Sequence, residues 1–283
     1  MTGGPNGTSP TATAAEDKGV QGELRNDRQV GDRPLTEWGS PPGRAIAHAT
    51  VVAGRRVGAH TTLVVTLAIG VVLAFLMSYL VARIYDGVTD RDGISALDVP
   101  VLATARGLRS PALDWFAAAV AYVFGPIGMP LMAVAAILVL ALRRRSWTPV
   151  ILIGAGGIGS LLMTIAGKDI IGRVRPPFAD AIPPFESTPS FPSGHTLNAT
   201  VIAGIVAYLL ILRQRTALAR GITITLAALL AITVGVTRIV LAAHWFTDVL
   251  AGWLLGLAWL AIVITAHRLY LTARERGAPS SVP

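Results

Sequence analysis

Residues 192–212 read PSGHTLNATVIAGIVAYLLIL, a proline, a serine, a glycine and a histidine followed by a run without charge from Thr196 to Leu212. At about 1.5 Å per residue such a run crosses most of a hydrocarbon core about 30 Å thick, so it reads as a membrane helix with a polar cluster at its start. Ser193 is a candidate N-cap, and Gly194 lets a ligand approach the backbone closely. The helix start adds unsatisfied N–H groups and partial positive charge, which suit a phosphate. A plain capping turn beside an exposed histidine, His195, fits these residues as well.

Upstream, residues 168–176 read KDIIGRVRP and close another apolar run, Trp147 to about Gly167. If the helix continues, Lys168 and Arg175 project from one face, and Pro176 then helps to end it. Two cations on one face need an anion, although a basic pair at a membrane boundary also serves as an interfacial anchor. Downstream, residues 237–248 read TRIVLAAHWFTD and join a span from Gly221 to Thr237 to one from Trp245 to Ala266. His244 and Asp248 stand at i and i+4, so the carboxylate can accept from the imidazole, fix its tautomer and stabilise its cation. Arg238 would lie about 120° from His244 on a continuous helix, so a break is predicted between them. A structural ion pair is the alternative, but ionisable residues beside membrane spans are costly and usually functional.

Composition agrees with a bilayer: 53% of the residues are hydrophobic and only 14% charged. The net charge of +8 does not point to nucleic acid, because the arginines gather in short clusters between apolar runs. There is no cysteine, which excludes disulfides, thiolate metal sites and cysteine nucleophiles.

Residues 1–43 are rich in Gly, Pro, Ser, Thr and mixed charge, and are predicted to form a disordered cytoplasmic tail. Residues 44–276 read as one six-span membrane domain, and 277–283 as a C-terminal tail. The first span is Thr61 to Ala82. Asp86, Asp90, Asp92 and Asp98 crowd the next loop, which reads as solvated and external. An interfacial helix near Pro111 to Val123 and a second span from Gly125 to Leu142 follow, or else one long helix kinked at its prolines. The third span carries Gly154, Gly156, Gly157 and Gly159, and the last carries Gly252 and Gly256; both sets read as close helix packing rather than nucleotide binding. Apart from the motif cations and scattered arginines in the acidic first loop, the arginine clusters, Arg143 to Arg145, then Arg213, Arg215 and Arg220, then Arg268, Arg274 and Arg276, fall on one side, as the positive-inside rule requires. The three polar clusters fall on the other. The expected architecture is an all-α polytopic bundle with both termini inside and four helix ends converging at the outer face.

Taken together, Lys168 with Arg175-Pro176, Pro192-Ser193-Gly194-His195, and Arg238 with His244 and Asp248 resemble the three signatures of the type 2 phosphatidic acid phosphatase superfamily. Thr237 stands where that family usually has serine. The resemblance covers roughly Thr61 to Ala266 and implies a membrane lipid phosphatase. By the same resemblance His244 is the nucleophile that forms a phosphohistidine, Asp248 orients it, and His195 is the acid and base. Lys168, Arg175, Arg238, the Ser193 hydroxyl and the Gly194 N–H are the implied phosphate ligands. No metal or other cofactor is implied. The partners expected are the bilayer and a lipid phosphate or polyprenyl diphosphate, with undecaprenyl diphosphate, phosphatidic acid and phosphatidylglycerol phosphate as candidates; no nucleic acid is expected. The arginine- and alanine-rich chain leans toward a bacterial plasma membrane. Binding or transport of an anion without hydrolysis is the alternative, and it leaves the two histidines and the carboxylate without a task.

Overall fold

The computed structural model describes residues 22–23, 26–58, scattered positions between 61 and 70, and 94–277. Its helices are α1 (Pro41–Val57), α2 (Asp98–Gly107), α3 (Pro111–Val123), α4 (Gly128–Arg144), α5 (Thr148–Ile171), α6 (Gly194–Ile211), α7 (Ala217–Val240) and α8 (Phe246–Gly277). The predicted first span, Thr61 to Ala82, and most of the acidic loop after it lie largely outside the described residues.

Local chemistry sets several boundaries. Ser110 is extended, its hydroxyl accepts from Leu113 N, and Pro111 follows as the first helical residue of α3. Thr216 caps α7 in the same way through Ala219 N. Gly172, at φ 60°, closes α5 in the left-handed conformation that favours glycine.

Among the described residues four helices, α5 to α8, are long and apolar enough to cross a bilayer, and α3 with α4 makes a fifth candidate bent by 56°. The region is thus two helices meeting at a sharp bend, with the first ending at Val123 as expected and the second beginning at Gly128. The bend lies between Val123 and Gly128, beside Pro126 and Pro130.

At the centre stands α6, packed by α5, α7 and α8. Its Leu197, Val201, Ile205 and Leu209, one residue per helical turn, are fully buried. The glycines expected to allow close packing do so. A Cβ on Gly156 would lie 2.2 Å from Ile205 Cδ1, and one on Gly159 would lie 2.3 Å from the Trp259 ring. Gly256 meets Thr200 across the α6–α8 contact in the same manner. The outer faces remain apolar, with Ile158, Leu161 and Leu162 of α5 and Leu226 and Leu229 of α7 exposed, as suits contact with lipid.

The described part of the tail differs from its compositional expectation. Residues 29–30 and 33–34 pair as a short antiparallel hairpin. Beside it the fully buried Asp27 accepts from Arg144 at 2.8 Å and Arg213 at 2.6 Å. Arg268 donates to Leu35 O at 2.9 Å and lies 4.4 Å over the Trp38 ring. The apolar content that composition measures is low here; paired charge and hydrogen bonds hold the segment instead. The arginines read as topology markers thus also anchor the chain that precedes the membrane domain.

Candidate active site

Because α5 to α8 alternate in direction, the ends of α5 and α7 and the starts of α6 and α8 meet at one end of the bundle. The three sequence clusters, far apart along the chain, are brought together there.

The predicted break after Arg238 is present. Helix α7 ends at Val240, Ala242 takes a left-handed φ of 51°, and the chain turns before α8 begins at Phe246. Ala243 N and His244 N both donate to Arg238 O, at 3.0 and 3.3 Å, which folds the histidine back beside the arginine. His244 and Asp248 are both fully buried, with His244 Nδ1 3.5 Å from Asp248 Oδ2. The same Oδ2 accepts from Ser190 Oγ at 2.5 Å and Trp245 N at 2.9 Å, while Oδ1 faces Arg173 Nη1 at 2.5 Å. A carboxylate gripped from this many sides has one orientation, and Nε2, 3.2 Å from Arg175 Nη1, is the histidine nitrogen turned toward the pocket.

His195 sits at the start of α6, with Nε2 3.3 Å from Ala121 O and Nδ1 3.5 Å from Glu186 Oε1. The carbonyl of Ala121 comes from the last turn of α3, just before the bend, where helical carbonyls lack an intrahelical partner. With Nε2–H given to that carbonyl, Nδ1 is the nitrogen facing the pocket. A Cβ on Gly125 would come within 2.6 Å of Ala121 O and 3.4 Å of His195 Nε2, so the close approach here needs glycine.

Two local expectations are corrected. Lys168 and Arg175 do not share a helical face, because α5 stops at Ile171 and Arg175 lies in the loop; both instead grip the Thr188–Pro189 segment. Lys168 Nζ donates to Thr188 Oγ1 at 3.0 Å and to the Pro189 carbonyl, and Arg175 Nε donates to Thr188 O at 2.7 Å. Ser193 occupies the N-cap position, yet its side chain makes no cap hydrogen bond and accepts from Thr196 Oγ1 at 2.9 Å. At Gly194 an added Cβ would lie 2.9 Å from Thr164 Cγ2, so packing against α5 also calls for a small residue there.

Four further side chains in the cluster were not singled out from sequence: Glu186, Arg173, Ser190 and Asp98. The carboxylate of Glu186 accepts from Arg175 Nη2 at 2.6 Å and from Arg238 Nη2, and lies 3.7 Å from His244 Nε2. Burial favours its neutral form, but the neighbouring His244 imidazole and the Arg238 charge outweigh burial and hold its pKa well below the usual carboxylate range. Arg173 bridges Asp248 to Asp98, whose Oδ2 is 2.6 Å from Nη2. Asp98, read as part of a solvated loop, is buried and also accepts from Thr247 N at 2.8 Å. A usable signal was the second arginine, Arg173, in the stretch ending at Arg175.

Arg238 is fully buried, and among the described residues its Nε and Nη1 have no hydrogen-bond partner. Guanidinium donors, two imidazoles and a buried carboxylate behind one of them can bind an oxyanion, attack it and move a proton.

Comparison with known proteins agrees. Residues 147–270 match the PAP2 superfamily. Phosphatidylglycerophosphatase B of Bacillus subtilis (strain 168) is 36% identical over 116 residues, which is 40% of this chain and 55% of that protein. The matched part therefore spans little more than half of that relative. A solved structure described as the first transmembrane PAP2-type phosphatidylglycerolphosphate phosphatase from Bacillus subtilis superposes with a TM-score of 0.59 at 27% identity, covering 68% of this chain and 93% of that one.

Proposed function

Residues 147–270 of this chain belong to the PAP2 superfamily, and from that premise we propose that the protein is an integral membrane phosphatase cleaving a lipid phosphate or polyprenyl diphosphate. His244 Nε2 attacks phosphorus in line, forming a P–N bond as the P–O bond to the lipid breaks. His195 Nδ1 supplies the proton that leaves with the lipid oxygen. It then takes a proton from the water that attacks the phosphohistidine, and inorganic phosphate departs. Asp248 stabilises the His244 cation. Lys168, Arg175, Arg238, Ser193 and the Gly194 N–H bind the nonbridging oxygens and stabilise charge in the transition state.

The observation that carries this reading is the convergence of Arg175, Arg238, His195 and His244 on one carboxylate, that of Glu186. An anion is held where a transferring phosphoryl group would need both histidines. The site at the helix ends suits a substrate whose phosphate is interfacial and whose tail stays in the bilayer. The arginine distribution favours the extracytoplasmic face and a bacterial plasma membrane. The relatives' names make phosphatidylglycerol phosphate the first substrate to try, ahead of phosphatidic acid and undecaprenyl diphosphate.

The test is phosphate release by the purified full chain from these three lipids, in the presence of a chelator, beside His244→Ala. Release that resists chelation and is lost in the variant supports the reading. A folded wild-type protein that releases phosphate from none of them overturns it.

A further inference from the structure

Glu186 stands between the groups assigned to the phosphoryl group, and yet it belongs to the protein. It is 2.6 Å from Arg175 Nη2, pairs with Arg238, and lies 3.5 and 3.7 Å from the pocket nitrogens of His195 and His244. Any anion that reaches His244 must first displace it. The carboxylate rides on the proline-rich segment joining α5 to α6, and its side chain keeps 21% of its exposure. A cavity of about 280 Å³ opens alongside it, walled by Val174, Pro177, Phe178, Phe185 and Leu241, and leaves room for the side chain to withdraw.

The fit of Glu186 is also incomplete. Its two oxygens leave Nε and Nη1 of the buried Arg238 without partners among the described residues. A terminal phosphate offers one oxygen more, and near neutral pH it carries about −1.5 to −2 charges. A phosphodiester headgroup carries a single charge and has two nonbridging oxygens, the same as the carboxylate it would have to displace. A tethered group competes at an effective concentration of roughly millimolar or above. Against Lys168, Arg175 and Arg238 the dianion gains Coulomb energy and unmet donors over Glu186, whereas the diester gains neither.

We propose that Glu186 is a specificity-determining residue, a tethered competitor that admits terminal phosphates and turns away the phosphodiester headgroups crowding the surrounding bilayer. This rests on the proposed phosphatase reading for its biological sense, but its physical content is anion selection and is measurable without turnover.

The experiment compares the full chain with Glu186→Gln and Glu186→Ala in detergent, reading ligand-induced shifts in Tm and dissociation constants for inorganic phosphate and for dioctanoyl phosphatidylglycerol, a monoanionic diester. Both variants are expected to bind phosphate at least about tenfold more tightly, as the loss of a charge-assisted competitor implies. Binding of the diester is expected to tighten by a larger factor, so the preference for phosphate over diester falls. An unchanged preference in both variants, or weaker phosphate binding, overturns the proposal. Melting without ligand verifies that each variant is folded. If the wild-type protein hydrolyses no lipid while the preference still falls in the variants, the phosphatase reading fails and the selection device stands. Hydrolysis by the wild type with an unchanged preference in the variants keeps the phosphatase and removes the selection device.

Discussion

Arg173 holds Asp248 from behind: its Nη1 lies 2.5 Å from Asp248 Oδ1, while Nη2 of the same guanidinium lies 2.6 Å from Asp98 Oδ2. The carboxylate that orients His244 is therefore itself oriented, by an arginine fixed to the start of α2. Under the proposed mechanism Arg173 is therefore a positioning residue, acting through Asp248.

Arg173→Ala should lower kcat by about 100-fold through misplacement of the couple, with KM little changed. Arg173→Lys should recover part of the loss, since one ammonium can reach one carboxylate but not fork between two. Equal kcat in wild type and Arg173→Ala would show that Asp248 needs no such support. Equal failure of both variants with a lowered Tm would instead make the residue structural.

The pH dependence divides the titrating groups. Glu186 has a folded pKa held far below its unfolded value of about 4.3. The stability from its ion pairs is thus fully present above that unfolded value, and is lost only as pH falls through the folded one. Glu186 should not titrate in the working range. The rate should follow a bell set by two histidines, one needed neutral and one protonated. A flat profile across the histidine range would count against the paired roles of His195 and His244.

At the opposite end of the bundle, Asp27→Ala should destabilise the protein by about 3 kcal/mol, because it strands the buried Arg144 and leaves Arg213 without its nearest carboxylate. Urea titration or thermal melting in detergent checks this. A change within about 0.5 kcal/mol, the range of ordinary surface substitutions, would mean that the segment before the membrane domain is not held as described.

Much of the site is legible in the sequence because its chemistry is written in short spacings. The i to i+4 step from His244 to Asp248 and the need for a break after Arg238 both follow from helix geometry, and both are found. Lys168 and Arg175 do belong together, but not on a helical face, since Gly172 ends the helix and the loop brings them to one segment. What the sequence does not reveal are contacts between distant segments. Asp98 reads as one more solvated acid until Arg173 and Thr247 close on it. Ala121 contributes only a carbonyl, which any residue could supply, and that carbonyl is available because of a helix bend. Glu186 has no motif around it. The described part of the tail departs from expectation because composition measures apolar burial, and Asp27 is held by charge.

The most direct test is to quench the protein during incubation with a lipid bearing a radiolabelled terminal phosphate and to look for label on protein that survives base and is lost in acid. Such label is expected on the peptide containing His244, none in His244→Ala, and more in His195→Ala if loss of the base slows hydrolysis of the intermediate more than its formation. Label that persists in His244→Ala, or turnover there at the wild-type rate, would contradict the phosphohistidine mechanism.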